Sequence, residues 1–289
     1  MTAVTALATA TLEAKSTAEN FPVALRVLPR ERREELMAVY GFARFVDDLG
    51  DELPGGAEAR LAALELAEDE LGRAFDGTAT HPVFERLTPV IRRRRLDRQP
   101  LSDLIEANRR DQETTRYESF ADLLGYCALS ANPVGRLVLA LAGCADDERA
   151  IALSDDVCSG LQIVEHLQDV AEDAARGRIY LPLEDLRAFG VEEPELTLAG
   201  PGRTTPPAVR RLVAFEAARA RELLRSSAAL AARLPGTWRL AVAGYGGGGL
   251  AQVAALERAA YDVLGETRPI RATKPARAAA VLGVLRRRP

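Results

Sequence analysis

The chain has 289 residues, with 38 Lys and Arg against 42 Asp and Glu, and a formal net charge of −4. Apolar residues make up 47% and charged residues 28%, a balance typical of globular proteins that excludes an intrinsically disordered chain or a collagen-like fibre. Aromatic residues are only 5%, and Ala, Leu, Arg and Glu dominate, which favours helices over sheets.

Charge is unevenly distributed along the chain. Residues 268–289 carry seven cationic side chains and no acid, so residues 1–267 carry a net charge of −11. Because an acidic body is a poor partner for phosphates, we expect no nucleic-acid binding. The basic tail, with a short apolar run at 281–285, predicts a disordered terminus; peripheral contact with anionic lipid at the inner face of the cell membrane is the alternative.

Cysteine and histidine are too few and too scattered to predict a zinc or iron–sulfur site. Cys127, Cys144 and Cys158 show no CxxC spacing, and histidine occurs only at His81 and His166. The N-terminus lacks a basic segment before its weakly apolar stretch, and no apolar run approaches the ~18 residues of a spanning helix. These features together predict a cytoplasmic protein.

Apolar residues recur at three- and four-residue intervals along nearly the whole chain, which predicts helices and no strands. In chain order, the predicted helices cover residues 29–52, 58–75, 101–112, 119–143 with an interruption at 132–133, 148–175, 207–234 and 237–264. A segment rich in Gly and Pro, 189–208, predicts an internal loop. We therefore expect an all-α protein.

Two of these helices carry stripes of carboxylates. Asp47 and Asp51 share one face about 6 Å apart along the axis, and Glu165, Asp169 and Asp173 step by four residues down another helix. Since like charges at this spacing destabilise a helix by ~0.2–0.5 kcal/mol per pair, the stripes suit a cavity with cations between them. Ligation by carboxylates alone selects Mg²⁺, with Mn²⁺ as an alternative, and predicts a diphosphate substrate. Solvated helix faces are the competing interpretation.

The residues around both stripes resemble the squalene/phytoene synthase family. The sequence YGFARFVDDLGDE at 40–52 is similar to the family's first aspartate-rich motif, and QIVEHLQDVAED at 162–173 is similar to the second. RIYLP at 178–182, YCA at 126–128 and VG at 134–135 resemble further family motifs. The resemblance extends from about residue 20 to 264. It implies an isoprenoid synthase helical fold around a deep central apolar cavity, in one catalytic domain at 20–266 between a flexible N-terminus at 1–19 and the basic tail at 267–289.

Two positions differ from the family's commonest form. Glu165 stands where most members carry Asn and Gln168 where they carry Arg, which shifts the charge at the diphosphate end by two units. Together with the amino-acid sequences at 19–24, 106–112 and 164–169, these two residues resemble the bacterial hydroxysqualene synthase branch of the hopanoid-linked squalene pathway. The resemblance implies Mg²⁺-dependent ionisation of presqualene diphosphate, rearrangement of the cation and quenching by water to give hydroxysqualene.

The resemblance also implies roles for individual residues. The implied metal ligands are Asp47, Asp51, Glu165, Asp169 and Asp173. The implied diphosphate-binding groups are Arg44, Arg178 and Tyr245. The residues expected near the cation or the quenching water are Tyr126, Tyr40, Asp111 and Asn108, and the expected cavity residues are Phe21, Phe42 and Asn132. Asp48, on another helix face, is expected to contact a neighbouring side chain. Tyr40 and Phe42 equally fit core positions, and His166 fits a packed or exposed histidine.

Other functions stay open at this point. A presqualene diphosphate synthase joining two farnesyl diphosphates, or a phytoene synthase, would use the same motifs. A helical lipid-binding scaffold is the non-enzymatic alternative, against which both acidic stripes and Arg44 argue. No nicotinamide or flavin cofactor is expected. The pathway predicts hand-over from an upstream presqualene diphosphate synthase to a downstream hydroxysqualene-reducing enzyme. The four glycines at 246–249 indicate either room for a ligand or a helix break.

Overall fold

A computed structural model describes residues 27–197, 204–265 and 270–287. Within these ranges every regular element is helical, and sheet-like pairing is limited to an isolated parallel bridge between Arg116 and Ile179. The predicted all-α fold class is therefore confirmed. The predicted flexible N-terminus and Phe21 lie outside the described residues.

The helices are named α1 to α13 in chain order. They are α1 Arg30–Asp51, α2 Gly56–Asp76, α3 Pro82–Arg94, α4 Gln99–Arg110, α5 Phe120–Ser130, α6 Asn132–Ala142, α7 Glu148–Gln168, α8 Val170–Ala175, α9 Leu183–Phe189, α10 Pro207–Leu224, α11 Ser226–Arg233, α12 Gly236–Arg258 and α13 Lys274–Arg286. A 3₁₀ turn occupies Glu193–Thr197. In the described ranges no single helix is long and apolar enough to cross a membrane, although the bent pair α5 and α6 passes on length and composition alone.

The periodicity of the sequence did not predict helix α3, which the structure contains. His81 caps its N-terminus, because His81 Nδ1 accepts a hydrogen bond of 3.3 Å from the Val83 N–H, and Pro82 occupies the first turn. Its inner face is formed by Val83, Phe84, Leu87, Val90 and Ile91. Pro89 within the helix and the run of arginines at its end obscured this apolar period in the sequence.

Residues 27–113, 129–152 and 234–241 form one compact unit, in which α1 packs against α2, α3, α4 and α6. Phe42 of α1 is fully buried and meets Phe84 of α3 edge to face, with ring centroids 5.6 Å apart. Buried Glu35 of α1 accepts two hydrogen bonds, of 2.9 and 2.8 Å, from the Arg94 guanidinium. This bidentate ion pair ties α1 to the C-terminal end of α3.

The second compact unit comprises residues 114–128, 153–197, 204–233, 242–265 and 270–287 of the described chain. Here α9 packs on α10, α10 contacts α11, and α11 packs against α13, while α8 lies against the 3₁₀ turn. The division into two units reflects which parts of the chain contact one another. The single catalytic domain at 20–266 stays a prediction.

The four consecutive glycines of α12 allow neighbouring helices to approach closely. A Cβ at Gly246 would lie 1.9 Å from Ser227 Oγ in α11, and one at Gly247 would lie 2.7 Å from the backbone nitrogen of Val281 in α13. A Cβ at Gly248 would meet nothing within 4 Å. Since α12 continues unbroken through the run, the glycines mark no helix break, and Gly246 and Gly247 allow close helix packing.

The basic C-terminal segment forms helix α13. Thr273 caps it by accepting a hydrogen bond of 3.4 Å from the Ala276 N–H. Val284 is buried and packs against Ala231 of α11 and Ala243 of α12. Because this face joins a core cluster, the prediction of a disordered tail is wrong for the residues of α13.

Candidate active site

The first acidic stripe occupies the last turns of α1. Asn108 of α4 donates a hydrogen bond of 3.1 Å to Asp47 Oδ1 and a second to the Leu104 carbonyl. Although the Asp47 side chain is accessible to solvent, desolvation by the surrounding protein raises its pKa to about 7, against the opposing effects of the Asn108 hydrogen bond and the Arg44 charge. A carboxyl group with a raised pKa gains from a bound cation, because a nearby positive charge favours its charged form.

Two side chains near the C-terminal end of α4, those of Asn108 and Gln112, form hydrogen bonds with the C-terminal end of α1. A Cβ at Gly50 would lie 2.2 Å from Asn108 Oδ1, so only glycine lets the Asn108 amide sit beside Asp47. Gln112 donates hydrogen bonds of 3.0 Å to the carbonyl oxygens of Gly50 and Asn108. Asp111 is the half-buried C-cap residue of the same helix. The first stripe is thus oriented by a helix that contributes no carboxylate to it.

Arg44 forms ion pairs with Asp48 of α1 and with Glu52, the C-cap residue of that helix. Its guanidinium lies 2.8 Å from Asp48 Oδ1 and 3.5 Å from Glu52 Oε1. Asp48 therefore contacts a neighbouring side chain, as its position on a separate helix face predicted. Arg44 lies one turn before Asp47, and its role toward a diphosphate stays a prediction.

The second stripe crosses a helix break that the sequence did not predict. The pattern at 148–175 predicted one helix, but α7 ends at Gln168 and α8 begins at Val170. The break is local, because the Asp169 N–H donates to the Glu165 carbonyl at 3.1 Å and the Asp173 N–H to the Asp169 carbonyl at 2.8 Å. The three carboxylates therefore keep their four-residue steps along the backbone.

The electrostatics of the second stripe resemble those of the first. The Asp169 side chain is accessible to solvent, yet desolvation by the surrounding protein raises its pKa to about 6, and the like charges of Asp173 and Glu172 add to this effect. His166 and Arg176 act in the opposite direction. Both stripes thus contain a carboxyl group whose pKa is raised.

The RIYLP segment is held beside the second stripe by an extended stretch before α5. The Ile179 N–H donates to the Thr115 carbonyl and the Leu183 N–H to the Tyr117 carbonyl, each at 2.9 Å. Arg116 anchors the stretch through an ion pair of 2.9 Å with Glu193. As a result, a small recess is lined by His166, Asp173, Arg178 and Tyr180, together with four apolar side chains.

Three tyrosines and a histidine form an aromatic cluster next to this recess. Tyr126 lies with its ring centroid 5.3 Å from that of Tyr117 and 5.5 Å from that of Tyr180, and His166 stacks on Tyr180 at 3.7 Å. Such faces stabilise a carbocation without attacking it. The sequence singled out Tyr126 but missed Tyr117 and Tyr180. Tyr180 lies within the RIYLP motif at 178–182, whereas Tyr117 lies outside every matched motif.

The remaining predicted residues are dispersed. Tyr40 is buried in α1, and Asn132 is buried at the start of α6. Phe42 packs in the core against Phe84, which is the alternative that its helical position left open. Tyr245 lies in α12, where burial and the neighbouring Cys158 raise its pKa. Tyr40, Phe42 and Asn132 belong to the first unit, and Tyr245 to the second.

The carboxylates fit Mg²⁺ in one particular way. Among the residues that the structure describes, no three His, Cys, Asp or Glu side chains are grouped closely enough to hold an ion by themselves. Mg²⁺ is usually bound by one or two carboxylates together with substrate phosphates and water, and not by a complete protein cage. Oxygen donors and raised carboxyl pKa values therefore suit an ion that arrives with a diphosphate.

Comparisons with known sequences agree with the resemblance seen in the motifs. The family described as squalene/phytoene synthase matches residues 14–277. A hydroxysqualene synthase of Rhodopseudomonas palustris is 34% identical over 218 residues, which are 75% of this chain and 71% of the relative. A phytoene synthase of Arthrospira platensis is also 34% identical, over 191 residues and 62% of each chain.

Solved structures show the same relationship. The squalene synthase HpnC from Alicyclobacillus acidocaldarius is 42% identical, with a TM-score of 0.78 over 87% of this chain and 93% of that chain. A dehydrosqualene synthase in complex with a ligand superimposes with a TM-score of 0.82 at 23% identity, over 97% of this chain and 95% of that one, which shows the shared fold. This chain has the isoprenoid synthase helical fold and belongs to the squalene/phytoene synthase family.

Proposed function

We propose that this enzyme converts presqualene diphosphate to hydroxysqualene in squalene and hopanoid biosynthesis, as a carbon–oxygen lyase acting on a diphosphate. The observation that carries the proposal is the second stripe, in which Glu165 and Gln168 replace the commoner Asn and Arg at the end of α7. Relatives named hydroxysqualene synthase, at 33–34% identity over 75% of the chain, support it.

In this proposal the carboxylates of each stripe serve as Mg²⁺ ligands, the role that the resemblance to the family implies. The ligands would be Asp47, Asp51, Glu165, Asp169 and Asp173. Bound Mg²⁺ would neutralise the charge that grows on the leaving group. Asn108 keeps the Asp47 carboxylate oriented, and Arg178, beside Asp173 in the recess, donates to the phosphate oxygens.

The reaction needs no redox partner. The bond between the substrate carbon and the diphosphate oxygen breaks, and its electron pair leaves with the diphosphate. The clustered rings of Tyr117, Tyr126 and Tyr180 would supply the aromatic groups that stabilise the rearranging cation. The oxygen of a water molecule then forms the new carbon–oxygen bond and releases one proton. No nicotinamide or flavin takes part.

A paired incubation tests this proposal. Purified protein with Mg²⁺ receives presqualene diphosphate in one tube and farnesyl diphosphate in the other, and the extracts are read by mass spectrometry. Hydroxysqualene from presqualene diphosphate alone is the expected result. Asp169→Asn serves as the control for turnover by a contaminating enzyme, and loss of hydroxysqualene in that variant assigns the activity to this chain.

The second candidate is a head-to-head prenyl transferase. The Arthrospira platensis phytoene synthase, at the same 34% identity, favours it. Formation of presqualene diphosphate from farnesyl diphosphate, or of phytoene from a C20 diphosphate, would support the transferase and contradict the lyase. No turnover of any diphosphate would support the lipid-binding scaffold.

We also propose that α13 contacts anionic lipid at the inner face of the cell membrane, where substrate and product would pass between neighbouring pathway enzymes. Leu282 is half exposed, and Lys274, Arg286 and Arg287 are exposed around it. Because the other face of α13 is packed, charge reversal is a better test than truncation. Lys274→Glu with Arg286→Glu and Arg287→Glu should abolish pelleting with phosphatidylglycerol vesicles, whereas unchanged pelleting would contradict the proposal.

A further inference from the structure

His166 lies beside Asp173 of the second stripe, and its side chain is largely buried. Its side chain is 11% exposed, and its ring stacks on that of Tyr180, with centroids 3.7 Å apart and planes at 13°. Tyr180 in turn lies against Tyr126 and Tyr117. The imidazole therefore connects the acidic stripe of α7 and α8 with the aromatic cluster.

The two ring nitrogens of His166 face groups of opposite character. Nε2 lies 3.2 Å from the amide nitrogen of Gln162, which only donates, so Nε2 accepts. Nδ1 then carries the hydrogen, and it lies 3.7 Å from Asp173 Oδ2, a carboxylate oxygen that only accepts. If the Gln162 amide were turned, an Nδ1 lone pair would face that carboxylate. Of the two neutral tautomers, both neighbours therefore select the one with the hydrogen on Nδ1.

We propose that His166 is a positioning residue, whose Nδ1–H orients the Asp173 carboxylate while its ring face braces Tyr180 in the aromatic cluster. The inference rests on the proposed function for its consequence, which is the capture of Mg²⁺ and diphosphate. It concerns a residue that the sequence interpreted as merely packed or exposed. At 3.7 Å the contact with Asp173 is electrostatic and longer than a hydrogen bond. It therefore orients the carboxylate without forming a hydrogen bond to its oxygen atom.

The other histidine provides an internal reference. His81 Nδ1 accepts a hydrogen bond of 3.3 Å from the Val83 N–H at the start of α3, so His81 carries its hydrogen on Nε2. The chain contains two histidines, and the structure assigns them opposite tautomers. Their ring ¹⁵N resonances can be assigned with two single variants.

The first experiment measures the tautomers and does not depend on activity. Long-range ¹H–¹⁵N spectra of ¹⁵N-histidine-labelled full-length protein are recorded at about pH 8.5, where free imidazole is neutral. His166→Asn and His81→Asn each remove one set of signals and assign the other. The expected result is a protonated Nδ1 in His166 and a protonated Nε2 in His81. A protonated Nε2 in both, or an averaged signal for His166, would overturn the proposal.

The second experiment separates the donor from the ring. His166→Asn keeps an N–H near the Nδ1 position and loses the stacked ring, whereas His166→Phe keeps the ring and loses the donor. Each variant is titrated with Mg²⁺ in the presence of inorganic diphosphate, and thermal stabilisation is the readout. We expect His166→Phe to need about tenfold more Mg²⁺, the effect typical of losing a partner behind a metal ligand, and His166→Asn to stay near the unmodified protein.

The outcomes distinguish this proposal from the proposed function. Equal Mg²⁺ midpoints for His166→Phe and the unmodified protein would overturn the role of the donor, whatever the enzyme's substrate. Should the midpoints separate as expected while no hydroxysqualene forms, the positioning role stands and the proposed substrate falls. Far-UV circular dichroism checks that each variant is folded, and the tautomer measurement on the unmodified protein decides the question if His166→Phe is not.

Discussion

The amide of Asn108 donates a hydrogen bond of 3.1 Å to the carboxylate of Asp47, across a sequence separation of 61 residues. This contact opposes the effect of desolvation on the pKa of Asp47 and fixes the direction of the carboxylate. It is possible only because residue 50 has no side chain, since a Cβ there would lie 2.2 Å from Asn108 Oδ1. The first acidic stripe thus depends on a glycine and an amide as well as on its carboxylates.

Gly50→Ala should weaken the capture of Mg²⁺ and diphosphate. The new methyl group would push Asn108 away from Asp47, so we expect about tenfold weaker binding, read as the Mg²⁺ midpoint of thermal stabilisation with inorganic diphosphate. Gly72→Ala, in the middle of α2 with its nearest neighbour at 3.8 Å, is the matched control and should leave the midpoint unchanged. An unaltered midpoint in Gly50→Ala would show that Asn108 does not orient Asp47.

Asp47→Asn should raise the stability of the metal-free protein and remove its stabilisation by Mg²⁺ and diphosphate. The raised pKa of about 7 means that the charged carboxylate reduces stability as pH rises from about 4 to 7, and Asn is uncharged at every pH. We therefore expect a higher Tm than that of the unmodified protein at about pH 8 without metal, and little shift on adding Mg²⁺ and diphosphate.

Asp69→Asn is the control for Asp47→Asn, because it makes the same change on the exposed face of α2. It should alter neither Tm nor the response to Mg²⁺. A lower metal-free Tm in Asp47→Asn would contradict the proposed electrostatic cost at this position. Hydroxysqualene formation at the unmodified rate would contradict its assignment as a ligand.

Two neighbouring glycines of α12 should respond in opposite directions to alanine. Gly247→Ala places a methyl group 2.7 Å from the backbone of Val281, so α13 must shift, and we expect a loss of about 1–3 kcal/mol in the free energy of unfolding. Gly248→Ala meets nothing within 4 Å and should increase it by up to about 1 kcal/mol, because Ala is the better helix former.

Urea unfolding measures both glycine effects, and limited proteolysis shows whether α13 is released. Equal effects of the two alanine variants would mean that α13 does not pack on Gly247. Release of α13 in Gly248→Ala would contradict the assignment of open space next to that position.

The stability of the second unit should depend on Glu216. This residue is 1% exposed, and the guanidinium of Arg219 lies 2.8 Å from its carboxylate and also contacts Asp185. The rings of Phe120 and Phe215 lie 4.3 and 4.2 Å from the same guanidinium. Burial, followed by the hydrogen bond with Asp185, raises the pKa of Glu216 to about 8.

Because this folded-state pKa lies above the unfolded value of 4.5, the folded protein binds more protons between the two values. The contribution of Glu216 to stability is therefore fully present below about pH 4.5 and is lost as pH rises through about 8. In Glu216→Gln, the free energy of unfolding should decrease less as the pH rises. We expect its stability relative to the unmodified protein to increase between about pH 5 and pH 9, because Gln carries no charge that must be buried as the pH rises.

Urea unfolding at several pH values tests this expectation. Glu222→Gln, an exposed position on the same helix, is the matched control and should follow the unmodified protein. Parallel curves for Glu216→Gln and the unmodified protein would show that Glu216 is ionised throughout the range.

Sequence periodicity predicted most of the helices, and it failed where a local feature hid the pattern. Helix α3 was missed because Pro89 and a run of arginines interrupt its apolar face. The break at Asp169 was missed because the hydrogen bonds on either side preserve the four-residue repeat. The tail was predicted to be disordered because its charge outweighs a short apolar run, yet Val284 finds a partner surface on α11 and α12.

The sequence by itself determined the helical fold class, the family and the two carboxylate stripes, because these depend on local spacing and residue type. The tertiary structure decided which carboxyl groups have raised pKa values and which side chains orient them. Asn108 beside Asp47 and Tyr117 beside Tyr180 are pairs brought together by packing from distant parts of the chain. Desolvation and hydrogen-bond direction depend on such long-range packing, and a one-dimensional pattern carries no information about it.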